Sequence, residues 1–564
     1  MRWSPAALGA QLALLIFVAP VCLGLLGVLL PALGYFPSLG SSSFSMHPFW
    51  DFLALPGLRN ALFLSLSTGL IATALSLCGA VCLLLLFWGR GQGRWLLRFI
   101  GPILAIPPTA IAAGLMLLLA PSGWLLRLIS PEVTGFTAPP PWLLFPDPHG
   151  FGLVLTLFVK ETPFLLLLCL AALARVPASE MLKVSGSLGY GRLSTFMLII
   201  LPQIYQQIRL PLLAVLVFSV SVVELPLLLG PSLPPPLSVL VFQGFQDADL
   251  NMRFAASVGA LAQLGLVIIA WLIWRCAETL LARLASLWVW RGRRAGQLDR
   301  LILPAGLIVV LPIFLFILSL AALILWSVAG RWPFSVNLPL YFTNAIWMQS
   351  GDLLIVVGQS AFIAIAASLV ANLLMLVWLH CQSERLQSRD SWIILLIYLP
   401  LLVPQISFLF GLQIGLSWAH LDGVYVSVIW VHALFILPYS YLILAPAEAA
   451  FDRRFMQLGA TFGLGSLGQI LRIKWMLMLP SIGASVLVGI AISAALYLPT
   501  LFAGAGRITT LTLEAVAQIQ SGARAQTAVA VLLQLMLPLL FFVAIRSVLR
   551  LRFRKFAGMN GGRS

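Results

Sequence analysis

Twelve stretches of the chain stay apolar for about 20 residues each, the length an α-helix needs to cross the hydrocarbon core of a bilayer. They lie near 8–33, 60–88, 99–120, 151–174, 203–230 and 255–275, and again near 301–329, 353–379, 392–417, 424–445, 481–503 and 526–548. Short polar and Gly/Pro-bearing segments separate them. The pattern predicts an all-α polytopic membrane protein of about twelve transmembrane helices. The first run, Leu8 to Leu33, is too long for a signal-peptide core and has no A-x-A cleavage site, so it is expected to be retained as a span.

Composition narrows the class further. Only 9% of the 564 residues are charged and 61% are hydrophobic, against about 25% charged in a soluble domain. A disordered chain, a coiled coil and a disulfide-stapled secreted domain are all excluded. The six cysteines are scattered through apolar runs with no CxxC pair and no Cys/His zinc spacing, so no metal site is expected.

The net charge of +16 could signal nucleic acid, but its distribution says otherwise. If both termini share one side with the segments 89–98, 175–202, 276–300, 381–391 and 446–480, and Arg275 is counted with them, that side holds 25 of the 33 Lys and Arg. Six lie opposite, and Lys160 and Arg209 fall within spans. This is the positive-inside bias of a multi-pass membrane protein, which places the basic side and both termini in the cytoplasm. No nucleic-acid partner is needed, and the lipid bilayer is the expected surrounding.

The basic, Gly-containing segment from Trp290 to Arg300 falls between two groups of six runs. It divides the chain into a first six-span repeat (1–285), a cytoplasmic linker (286–300) and a second six-span repeat (301–564). Internal similarity supports the division. Pro107 and Gly114-Leu115 match Pro404 and Gly411-Leu412 at an offset of 297. Pro163 matches Pro438 at 275, and Glu224-Leu-Pro226 matches Tyr497-Leu-Pro499 at 273. The drop in offset reflects a longer, Pro-rich loop between spans three and four of the first half. Six spans per half bring each half back to the same side, so the repeats are parallel, related by an axis along the membrane normal.

The cytoplasmic segment between spans four and five is the most informative. Each copy reads as a helix, a glycine break, a short amphipathic stretch and a Leu-Pro that starts the next span. The first copy contains Gly186-Ser187-Leu188-Gly189, then Arg192 and Leu201-Pro202; the second contains Gly459-Ala460-Thr461-Phe462-Gly463 and Leu479-Pro480. These segments resemble the EAA loops of permease subunits of binding-protein-dependent ABC importers, where a glycine precedes the proline of a Leu-Pro pair by thirteen residues. Gly189 and Pro202 keep that spacing, whereas Gly463 and Pro480 are seventeen apart, longer by about one helical turn. The acidic residue is missing: Lys183-Val-Ser185 and Gln457-Leu-Gly459 stand where the family has Glu-Ala-Ala. As a tandem duplication the chain is similar to the fused inner-membrane permeases of thiamine and ferric-iron importers.

The resemblance implies a bacterial inner-membrane permease, not an enzyme, whose two loops seat in two copies of a cytoplasmic ABC ATPase. A periplasmic or extracytoplasmic solute-binding protein would deliver a small solute. ATP would be used by the partner, with no cofactor bound by this chain. The chain itself carries only four lysines, none following a glycine, so no phosphate-cradling Gly-Lys-[Ser/Thr] loop exists. A twelve-span ion- or proton-coupled secondary transporter is the alternative. That class commonly carries an acidic turn between spans two and three, where this chain has Trp88-Gly-Arg-Gly-Gln-Gly-Arg94.

Ionisable groups at membrane depth mark candidate pathway residues. Lys160 and Glu161 lie mid-span, and as neighbours on a helix they are not expected to form a simple ion pair. Glu224 and its counterpart Tyr497 are expected near the outer gate, and Gln203 and Gln207 near the inner mouth. His432 reads as a packing histidine.

Overall fold

The computed structural model describes residues 5–87, 106–142, 145, 147–292, 299–300, 302–334, 336–383 and 391–553. The first half contains α1 (Pro5–Ala32), α2 (Leu58–Phe87), α3 (Pro108–Leu119), α4 (Phe151–Leu173), α5 (Ala178–Ser187), α6 (Leu201–Ser221), α7 (Glu224–Leu229), α8 (Leu237–Gln246) and α9 (Met252–Trp290). The second contains α10 (Ile302–Ser327), α11 (Gly351–Ser383), α12 (Ile406–Trp418), α13 (Tyr425–Ala449), α14 (Arg454–Thr461), α15 (Leu479–Ser493), α16 (Leu498–Gly504), α17 (Leu511–Ser521) and α18 (Arg524–Phe553). The chain is an all-α polytopic membrane protein. Among the described residues nine helical segments are long and apolar enough to cross a membrane, and a bent pair around Leu479 makes ten. The other two apolar runs fall on α10 and on the interrupted series Ser391–Ile397, Leu399–Leu402 and α12. The turn at Trp88–Arg94 and linker residues 293–298 lie outside the described residues.

Three expectations change. Spans five and eleven are not continuous: α6 stops at Ser221 and restarts as α7, and α15 stops at Ser493 before α16. The expected sixth span, near 255–275, is the first part of a longer helix. α9 runs on to Trp290, into the first residues of the stretch read as linker.

A helix break inside lipid frees backbone groups that need partners, and both halves supply them in the same way. Gln263 of α9 donates to the Val220 carbonyl at 3.1 Å, and Gln534 of α18 donates to Ala494 at 3.1 Å. Ser238 bonds the Val222 carbonyl, and Thr512 that of Ala494. The amides of Leu237 and Leu511, which open α8 and α17, donate to the hydroxyls of Ser65 and Ser360 at 2.8 Å each. The clamps differ at the glutamine: Gln534 also donates to the Thr512 hydroxyl at 2.9 Å. Gln534 Oε1 accepts from Thr109 at 2.8 Å, whereas Gln263 Oε1 is buried without a partner. Gln534→Leu is therefore expected to destabilise the protein more than Gln263→Leu, by about 1 kcal/mol given ~0.6 kcal/mol per intramembrane hydrogen bond. Equal shifts in a detergent unfolding titration would contradict this.

The first helix of each half packs on the other half. α1 lies against α12, and α10 against α3. Small residues permit the approach. A Cβ on Gly24 would stand 2.3 Å from the Phe408 carbonyl oxygen, and one on Gly114 would stand 2.9 Å from that of Ser319. Gly114 and Gly411, matched in the sequence, thus sit at corresponding crossings. Within each half α2 packs on α4, and α11 on α13.

Candidate functional site

Two regions hold the residues singled out by sequence. The first is the pair of loops between spans four and five. α5 ends in a glycine cap: Gly189 has φ +83°, its amide donates to Gly186, and the Tyr190 amide donates to Ser185 at 3.0 Å. α14 ends identically, with Gly463 at φ +75°, its amide on Ala460 and the Leu464 amide on Gly459. Each is a Schellman motif, in which a left-handed residue reverses the chain. A one-turn helix follows (Arg192–Thr195; Ser466–Gln469), then a wider π-helical turn (Phe196–Ile200; Ile470–Lys474).

The offset of 274 between Gly189 and Gly463 holds through the π turns and is 273 at Glu224 and Tyr497. The second loop is therefore not lengthened by a turn. Its proline is displaced by one turn along a path of equal length. Pro202 opens α6 within a continuous segment, Arg192–Ser221, while the segment Ser466–Leu477 meets α15 at a 75° bend beside Pro480.

The capped helices present a matched apolar face. Val184 and Leu188 of the first loop are 63% and 57% exposed; Leu458 and Phe462, at the same offset, are 58% and 79% exposed. Sequence reasoning marked Leu188 and Phe462 but missed Val184 and Leu458. Their signal was an apolar pair at i,i+4 in an otherwise polar segment. Gly186, Ser187, Ala460 and Thr461 are exposed on the same helices, and Gly459 is buried where a Cβ would strike Ile473 at 2.3 Å. Arg192 donates to the Leu85 carbonyl at 2.6 Å. Leu201 and Leu479 are half-buried, and Pro202 and Pro480 are exposed.

The second region lies between the halves. Lys160 and Glu161 form a salt bridge, contrary to the expectation for neighbouring helix positions. The four-carbon lysine stem is long enough to swing its ammonium round to the buried carboxylate. The same ammonium lies 3.9 Å from the centroid of the Phe218 ring, a cation–π contact. Glu224, the first residue of α7, is buried, and α7 packs on α4. The first half thus brings the charges, two carboxylates and one ammonium.

Aromatic rings close this region off. Phe242 lies 6.3 Å from Tyr497, and Phe245 stacks on Phe410 of the other half at 4.0 Å, with Phe502 against both. Gln203 and Gln207 are not part of the cluster. They lie near the opposite end of α6, Gln207 exposed, with Gln203 donating to the Ile199 carbonyl at 2.9 Å.

His432 is fully buried and both ring nitrogens are engaged, with Ser493 at 2.7 Å and Thr500 at 2.9 Å. The Thr500 hydroxyl is spent on the Leu496 carbonyl, so the imidazole donates from Nε2 and accepts at Nδ1 from Ser493. It bridges α15 and α16 across their break.

No family model matches the chain. It is 30% identical over 515 residues to the inner membrane ABC transporter permease protein YnjC of Escherichia coli (strain K12), covering 90% of this chain and 91% of that protein.

Proposed function

Because the chain belongs to the ABC transporter permeases, we propose that it is a fused two-repeat importer permease, both of whose cytoplasmic loops dock on ABC ATPase subunits. Membership of that family sets aside the ion-coupled secondary transporter. The observation that carries the reading is the pair of loops: at one offset each has a glycine-capped helix, a π turn and an exposed apolar pair. Two such faces on one chain fit two copies of an ATPase, and closing of the ATPases would draw the loops together. The repeated break clamps and the exchanged first helices support two parallel repeats around a shared pathway. The thiamine and ferric-iron type, the solute-binding protein and the cytoplasmic placement of both termini belong to the same proposal. Lys160, Glu161, Glu224 and Tyr497 line the pathway between the halves in this reading.

The test is co-purification in mild detergent from the native membrane. An ATPase subunit is expected to travel with the wild-type chain. Leu458→Asp and Phe462→Asp combined with Val184→Asp and Leu188→Asp are expected to release it by putting charge into both apolar contacts, at a cost of about 2 kcal/mol or more each. Replacing Gly189 and Gly463 together by leucine forces a side chain into the left-handed region, at about 1–2 kcal/mol each, and is expected to uncouple hydrolysis from uptake. Retention of the ATPase by the variant with aspartates in both loops, or normal uptake by the double glycine variant, would exclude a docking role for the loops.

A further inference from the structure

Asp299 lies on the stretch that joins the two halves, just before α10 begins at Ile302. Its carboxylate reaches the first loop. The amide of Arg192 donates to Oδ2 at 2.8 Å, and the amide of Leu193 donates to Oδ1 at 2.8 Å. These amides open the helical segment Arg192–Ser221, where first-turn N–H groups have no partner within the helix. Negative charge is also favoured at that end by the helix dipole.

Gly191 makes the approach possible. A Cβ there would stand 2.8 Å from both carboxylate oxygens, although φ −71° is open to any residue. The corresponding residue of the second loop, Gly465, has φ −63°, and a Cβ on it would meet nothing within 4 Å. The two loops share a backbone and differ in this contact.

We propose that Asp299 is a positioning residue that ties the first loop to the base of α10, so that displacement of that loop passes directly into the second half. This rests on the reading of the loops as ATPase contacts. The route is short. Asp299 holds the start of the segment Arg192–Ser221, the chain continues from Asp299 into α10, and α10 packs on α3 of the first half and α18 of the second. In the second loop the corresponding junction is a 75° bend.

The test uses the chain purified with its ATPase subunit in lipid nanodiscs and compares Asp299→Ala, Asp299→Asn, Gly191→Ala and Gly465→Ala. The Arg192 and Leu193 amides are expected to exchange with deuterium at least about tenfold faster in Asp299→Ala and Gly191→Ala, the size of a lost charge-assisted bond. Gly465→Ala is expected to leave them unchanged. In the first two variants the maximal rate of ATP hydrolysis is expected to change by about threefold or more. KM for ATP and the melting temperature stay as in the wild type, and Asp299→Asn, which keeps one acceptor oxygen for the two amides, restores part of the rate. Combining Asp299→Ala with Gly191→Ala adds nothing further.

Equal behaviour of Gly191→Ala and Gly465→Ala, or faster exchange with unaltered hydrolysis, overturns the role. Absence of any ATPase with the wild-type chain overturns the docking reading and this role together, while the exchange rates still decide whether the tether itself exists.

Discussion

Gly411→Ala is expected to be among the most damaging single substitutions in the chain. An added Cβ would stand 1.9 Å from the Gly24 carbonyl oxygen and 2.8 Å from the backbone at Gly27 and Val28. Those neighbours are main chain of a helix, so relief requires α1 and α12 to separate along their crossing. Overpacking that cannot relax through rotamers costs about 1–3 kcal/mol, occasionally more. Gly114→Ala, at the corresponding crossing of α3 with α10, meets Ser319 at 2.9 Å and should cost less. Gly415, one turn beyond Gly411, has nothing within 4 Å, so Gly415→Ala is expected to be neutral or stabilising, since alanine favours a helix over glycine by about 1 kcal/mol. Thermal melting in detergent of the three variants should rank them in that order. A Gly411→Ala protein that melts with the wild type would show that the crossing is looser than the structure has it.

The second large effect concerns the joint above the second loop. Lys474, in the π turn, is buried against Glu448 at 2.5 Å, with His380 Nδ1 at 3.2 Å. Glu448 Oε2 has no further partner. Lys474→Met strands the carboxylate in an apolar setting, and removing one member of a buried pair typically costs about 3–5 kcal/mol. The first half supplies the remedy. At the 274 offset it has buried Ile200 in place of Lys474 and Ala174 in place of Glu448. Lys474→Ile together with Glu448→Ala is therefore expected to recover most of the stability lost in Lys474→Met. The coupling free energy from a double-mutant cycle checks this. A double variant as unstable as Lys474→Met would mean that the pair is not the source of the loss.

The all-α membrane fold was legible in the sequence because it rests on a recurring apolar signal. Length of apolar run finds a helix in lipid, since nothing else satisfies the backbone there. The same signal was blind to the breaks at Val222–Val223 and before Leu498, because the residues on both sides are apolar and the compensating donors, Gln263 and Gln534, come from distant helices. Gly114 and Gly411 were visible as a matched pair, but the reason for glycine there is a crossing with the other half, which no local pattern encodes. The Lys160–Glu161 bridge escaped a rule about backbone directions because side-chain reach decided it. Asp299 stood inside a basic linker and drew no notice, its partners being backbone amides more than a hundred positions earlier.

The crossing of α1 with α12 bears on how the protein is made. α1 is synthesised well before α12, yet the groove that receives Gly24 and Gly27 belongs to that later helix. Until that groove emerges, α1 must wait in lipid with its small-residue face unmatched. Neither half is then a free-standing assembly unit, and such long-range closure is slow in general. Two co-expressed half-chains should still find each other, because what clasps them is the interlock of their leading helices rather than the peptide bond between them.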